Sequence, residues 1–151
     1  MDTKKLTEII ESIEQNISKL LELSVSKQKV LIQRNHDELN SLSEREEKCL
    51  NNIAYLTKQQ KIFTEQLKEE LNIPSGISSL TEVIELSGNN IISEHRIRML
   101  KALHEIKIMS ADLELKNFQN KMLIETSRTF IKGIIQAVRG SKNSSLINRR
   151  M

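Results

Sequence analysis

Three histidines, one cysteine and a set of clustered carboxylates are the side chains in this sequence best suited to bind a metal ion, and the cysteine is its strongest nucleophile. His95 and His104 stand nine residues apart, so they miss the i, i+4 spacing that lets two imidazoles on one helix share a metal ion, and His36 is remote from both. Capping or half-buried positions are the expectation for all three. Cys49 is the single cysteine, which excludes an internal disulfide and leaves no thiolate-based metal set. It falls between Leu42 and Ile53 on an apolar helical row, where a thiol acts as a small hydrophobe. No base is placed to activate it. The carboxylates come in runs with lysine and arginine, as in Glu44-Arg45-Glu46-Glu47-Lys48 and Lys68-Glu69-Glu70. Such runs make solvated helix faces with i, i+4 ion pairs of ~0.2–0.5 kcal/mol each. Glycine-rich phosphate loops, the Gly-x-Ser-x-Gly elbow and His-Glu-x-x-His are all missing from the sequence. Neither an enzyme nor a cofactor or metal is expected.

Binding chemistry is better represented. Asn117 and Asn120 lie three apart in the middle of a strongly helical stretch, although asparagine is a poor helix former. Facing another helix, their amides could fix register as a polar residue does in a coiled-coil seam; facing water, they would do nothing. Farther along, Phe130, Ile131, Ile134, Ile135 and Val138 make an apolar stripe, broader than packing against one helical hairpin requires. Gly133 interrupts it at a cost of about 1 kcal/mol relative to alanine.

Composition limits what can position these groups. With 151 residues, 28% charged, 3% aromatic, four glycines, one proline and no tryptophan, the chain has too few turn and β-type residues for a β-sandwich or a mixed α/β enzyme. An all-α, long-helix protein follows. The formal net charge is +3, but Arg139, Lys142, Arg149 and Arg150 fall within the last 13 residues, which hold no acid. Residues 1–138 are left with 19 basic and 20 acidic side chains, a net of −1. A nucleic-acid-binding helical body concentrates its cations on one face, so no nucleic-acid partner is expected. Acids at Asp2 and Glu8 break what would have to be the apolar core of a signal peptide, and no run approaches the ~20 apolar residues of a membrane span. A cytoplasmic protein without membrane insertion is the expectation.

The periodicity gives the elements. Leu6, Ile10, Ile13, Ile17 and Leu20 follow one another at steps of three and four, which predicts a helix over about 3–33. The pattern lapses at Asn35-His36-Asp37, where Asn35 or Asp37 can cap a second helix over about 37–71. That helix carries Leu39, Leu42, Cys49, Ile53, Leu56, Phe63 and Leu67, with Glu46 at one seam position where the hairpin could splay, and Pro74 and Gly76 together stop it. Two such helices should form an antiparallel hairpin, since a single helix over the whole span would leave both seams unpartnered. Ser79-Leu80-Thr81-Glu82 reads as a capping box for a short connecting helix over 79–87, with Gly88 ending it. Ser93 can then cap a final helix over about 94–138, whose row is Ile97, Leu100, His104, Ile108, Ala111, Leu115, Phe118 and Met122. The expected organisation is one helical domain over 1–140 and a flexible basic tail over 141–151.

The hairpin, the Ser79-Leu80-Thr81-Glu82 connector and Asn117-x-x-Asn120-x-x-Leu123-Ile124, followed by Thr126-Ser127 and the apolar run to Val138, resemble the FlgN family of flagellar export chaperones over roughly residues 5–138. The resemblance implies a bacterial cytosolic chaperone of the flagellar type III export system, with no enzymatic activity and no cofactor. It implies as partners the C-terminal segments of the two hook–filament junction proteins, kept unassembled and delivered to components of the export gate. The partner-binding residues expected are Leu123, Phe130, Ile131, Ile134, Ile135 and Val138, with Asn117 and Asn120 in a structural role. An apo protein could cover the stripe by homodimerising or by folding the helix end back. The competing reading is a self-assembling coiled-coil scaffold, in which the same stripe is a homo-oligomer interface; a nucleic-acid protein rests on the four basic tail residues alone.

Overall fold

The structure, a computed structural model, describes the backbone of residues 2–150 and the side chains of 2–129 and 131–138. Four α-helices follow in order: α1 (Thr3–Gln33), α2 (His36–Glu70), α3 (Leu80–Ser87) and α4 (Ser93–Arg150), with a single 3-10 turn at Gly88–Asn90. No strand occurs among the described residues.

Local chemistry sets each boundary. Asp2 accepts a hydrogen bond from the Lys5 backbone N–H at 2.9 Å and starts α1. Arg34 takes a left-handed conformation (φ 57°) at the end of α1, and Asn35 accepts from the Glu38 N–H at 3.3 Å to start α2. Two residues thus turn the chain back on itself, and the hairpin is formed. The end of α2 owes more to Asn72 than to the proline expected to stop it. Asn72 adopts φ 51°, its N–H bonds to the Glu69 carbonyl, and Ile73 N–H bonds to the Lys68 carbonyl at 2.9 Å. That paired arrangement closes the last turn before Pro74 is reached. Ser79 caps α3 through the Glu82 N–H, and Gly88 ends it with φ 52°.

The connector carries the chain across the open end of the hairpin, so α4 must run parallel to α1. The cross-links confirm the direction: Thr3 pairs with His95 at 2.9 Å, Glu11 with Arg98, Ser24 with Asn117, and Gln28 with Gln119. α2 and α4 each pack chiefly on α1, which is the shared middle helix. The largest core cluster joins Leu6 and Ile10 of α1, Leu67 of α2, Val83 and Ile84 of α3, and Met99 and Ala102 of α4. Ile9, Ile13 and Ile17 continue it along the middle, and Leu23, Val30 and Leu42 fill the hairpin tip, with Cys49 packed beside them as a hydrophobe.

Two sequence expectations for α4 need correction or qualification. The row chosen from the spacing is not its core face, since Ile97, Ile108, Leu115, Phe118 and Met122 are all exposed. The face against the hairpin carries Met99, Ala102, Ile106, Met109 and Asn120, a row with smaller or more polar members. The larger side chains of the outward row made it the stronger signal in sequence. The α4 backbone also continues to Arg150, past the expected end near 138. Gly133 and Gly140 weaken a helix without removing its hydrogen bonds, and no proline follows them. The tail expectation over 141–151 falls on residues whose side chains lie outside those described.

Glu14 has a measurable consequence. Burial raises its pKa above the ordinary carboxylate value; Glu105 and Glu11 push the same way, and Lys101 opposes them. The ionised group therefore works against folding. Its cost is absent below the ordinary carboxylate range, grows as pH rises, and is complete above the raised folded-state value. Glu14→Gln is expected to raise stability slightly near pH 7, by less than about 0.5 kcal/mol once solvent screening of this partly exposed group is allowed for, and to make no difference near pH 3. Paired thermal melts at the two pH values read this out.

Candidate functional site

α4 is 58 residues long and α1 is 31, so the two parallel helices cannot end together. Pairing of Gln28 with Gln119 places the end of α1 near residue 125 of α4, and α4 extends roughly 35–40 Å farther at ~1.5 Å per residue. Its hairpin-facing row keeps its phase across that point. Ile124 and Ile131 still lie against the tip, among Val30, Leu31 and Leu39. Beyond them Ile134 (47% exposed), Ile135 (44%) and Val138 (59%) have no hairpin left to cover them. Four residues of the stripe, Ile131, Ile134, Ile135 and Val138, are therefore exposed where α4 outruns the hairpin.

The site residues proposed from the sequence do not all share that surface. Ile131, Ile134, Ile135 and Val138 do, with Ile131 at its inner edge. Leu123 is half-buried and turns toward α1, lining a shallow groove with Ile32, Phe118 and Met122. The side chain of Phe130 lies outside the described residues.

Asn120 is buried against α1, and Asn117, although exposed, is hydrogen-bonded to Ser24 of the same helix. Asn120 is buried and donates from Nδ2 to the Ser24 carbonyl at 2.9 Å, while Ser24 Oγ donates to Asn117 Oδ1 at 3.1 Å. Gln28 adds two more links, donating to Gln119 at 3.0 Å and accepting from Lys116 at 3.2 Å. Lys27 stands 3.1 Å from Glu46 of α2 in the same layer, so the seam-position glutamate finds its counter-charge. This polar layer sits one to two turns inside the hairpin tip. A slip of α4 by one turn would break its four hydrogen bonds to Ser24 and Gln28 of α1, so the layer fixes how much of α4 projects. Replacing Asn117 and Asn120 together by alanine removes two inter-helix hydrogen bonds. It is expected to lower unfolding free energy by about 1–3 kcal/mol, measured by urea denaturation.

Sequence reasoning missed the cavity at the tip. Val30, Leu31, Leu39, Ile124 and Ile131 line it, and Arg34, His36 and Arg128 stand among them. Its residues come from three helices with no common spacing, so no local signal could assemble it. Among the described residues no group of three or more His, Cys, Asp or Glu is placed to hold a metal ion. Also among them, no helix is long and apolar enough to cross a membrane. His95 is tied to Thr3, and His36 begins α2.

Among the described residues the arrangement presents an exposed apolar row over 131–138, held in register by a polar layer. Neither a curated protein nor a solved structure matches the chain. A family model described as FlgN protein matches residues 1–148, almost the whole sequence, and the chain belongs to the FlgN family, a family of flagellar export chaperones.

Proposed function

We propose that this chain is a cytoplasmic export chaperone that binds the C-terminal amphipathic segments of hook–filament junction proteins. It keeps them from assembling prematurely and delivers them to the type III export gate. The observation that carries this reading is the continuation of the hairpin-facing row of α4 past the hairpin, which leaves Ile131, Ile134, Ile135 and Val138 exposed. Phe130 is part of the stripe expected from the sequence, and Leu123 lines the separate groove beside Ile32. An amphipathic partner helix meets such a row at i, i+3, i+4, i+7 spacing.

The magnitudes suit a reversible hand-off. Burying four or five such side chains at ~1.5–3 kcal/mol each is worth of order 10 kcal/mol gross. Ordering the partner takes back ~2–5 kcal/mol and association several more, so these side chains alone leave a millimolar to, at best, micromolar affinity, and tighter binding requires further contacts along the partner. Calorimetric titration with C-terminal segments of the junction proteins from the same bacterium tests the reading, with N-terminal segments as controls. Saturable binding with a negative heat-capacity change and a gain in helicity is expected. A folded protein that binds neither segment, and instead forms a stable oligomer through the stripe, would replace this reading with the self-assembling scaffold.

A further inference from the structure

Asn117, Asn120, Ile124, Ile131, Ile134 and Val138 fall on one seam of α4, at the spacings of three, four and seven that a packed helix meets. Along the first half of that seam the neighbour is α1, to which Asn117 and Asn120 are bonded through Ser24. α1 ends at Gln33, and Ile134 and Val138 stand exposed on the half it leaves free. The tip cavity, about 350 Å³, lies where one half passes into the other, with Leu31 of α1, Leu39 of α2, and Ile124 and Ile131 of α4 in its lining. Ile124, Ile131 and Val138 are seven residues apart, and a straight helix drifts only ~20° per seven residues, so cavity and exposed row share one line. Met122 stands nine residues before Ile131, about two and a half turns, and so faces the opposite side of α4 with its neighbour Phe118.

Resting on the function proposed above, we infer that the partner helix takes the track α1 vacates, abuts the hairpin tip, and seats a large apolar side chain of its end turn in the tip cavity. The exposed row alone supports only weak binding, and a tighter complex needs further burial. The cavity is unfilled apolar space continuous with that row through Ile131, and an aliphatic or aromatic anchor buried in such a pocket carries a large share of an interface's energy. A straight helix on Ile134 and Val138 reaches the cavity but not Phe118 or Met122, which lie around the far side of α4. Leu31 and Leu39 therefore touch the partner. The hairpin is part of the binding site as well as the support of α4.

The test uses the full chain with labelled methyl groups and a synthetic peptide of the C-terminal segment of a junction protein. In the saturated complex, intermolecular nuclear Overhauser effects are expected from the peptide to Leu31 and Leu39 as well as to Ile134 and Val138. Leu39→Trp, which fills the cavity from α2 and leaves the exposed row unchanged, is expected to weaken the peptide at least ~tenfold by anisotropy. Phe118→Ser, on the far side of α4, should stay within about twofold of the parent. Peptide contacts confined to Ile134, Ile135 and Val138, or full affinity in a folded Leu39→Trp, overturn the inference while leaving the chaperone reading intact. Contacts at Leu39 that come from a second copy of the chain and not from the peptide overturn it as well. The spectra of the parent decide the matter where the tryptophan variant does not fold. A peptide that does not bind the parent overturns the chaperone reading, and this inference with it.

Discussion

Ile134→Asp/Val138→Asp is expected to lose binding of the junction-protein segment by at least ~100-fold, with helix content and melting temperature close to those of the parent. The two side chains are about half exposed and lie beyond the reach of the hairpin, so the folded protein loses little when they become charged. Surface substitutions of this kind fall within about ±0.5 kcal/mol of stability. Binding is affected differently. Each aliphatic group buried under the partner is worth ~1.5–3 kcal/mol, and two of them together correspond to roughly 10²–10⁴ in affinity. Isothermal titration on matched preparations, with circular dichroism of each, separates the two effects. If the variant unfolds, the stripe is core and the proposed surface is on the wrong face.

Ile10→Ala is expected to do the reverse. Ile10 is fully buried in the cluster that joins all four helices at the closed end of the molecule, far along α1 from the tip. Truncation there removes apolar burial and leaves a cavity, at a cost of about 2–5 kcal/mol in unfolding free energy. A chain with a normal stability of about 5–15 kcal/mol would lose a large share of it. The surface at residues 131–138 is untouched, so affinity measured well below the lowered melting temperature should stay within about twofold of the parent. Urea denaturation and titration of the same variant check both halves. Together the two variants separate what holds the helices from what the projecting helix binds.

The hairpin was legible in the sequence because its determinants are local. Asn35 is a strong capping residue set beside a lapse in the apolar rows, and Ser79, Glu82 and Gly88 mark α3 within a few residues of one another. The orientation of α4 was not legible, because it carries two apolar rows and the one with the bulkier residues faces outward. Only the positions of α1 and α2 decide between them, and those are set by contacts some 90 residues apart in sequence, such as Ser24 with Asn117. The same distance hid the tip cavity, which residues of α1, α2 and α4 line together. The asparagine pair fell between these cases: its spacing singled it out, but only its contact with Ser24 distinguished a register layer from a solvated face.

The most direct test of the central claim is amide hydrogen exchange along α4, free and saturated with the C-terminal segment of a junction protein. The projecting part of a helix without tertiary cover opens readily, so exchange over residues 131–138 should be fast in the free protein and slow in the complex. The core segment 99–109 should be protected in both. Protection gained over 131–138 is the predicted result. Protection gained instead along the outward row from Ile108 to Met122, with 131–138 unchanged, would contradict the account and move the binding surface to the other face of the helix.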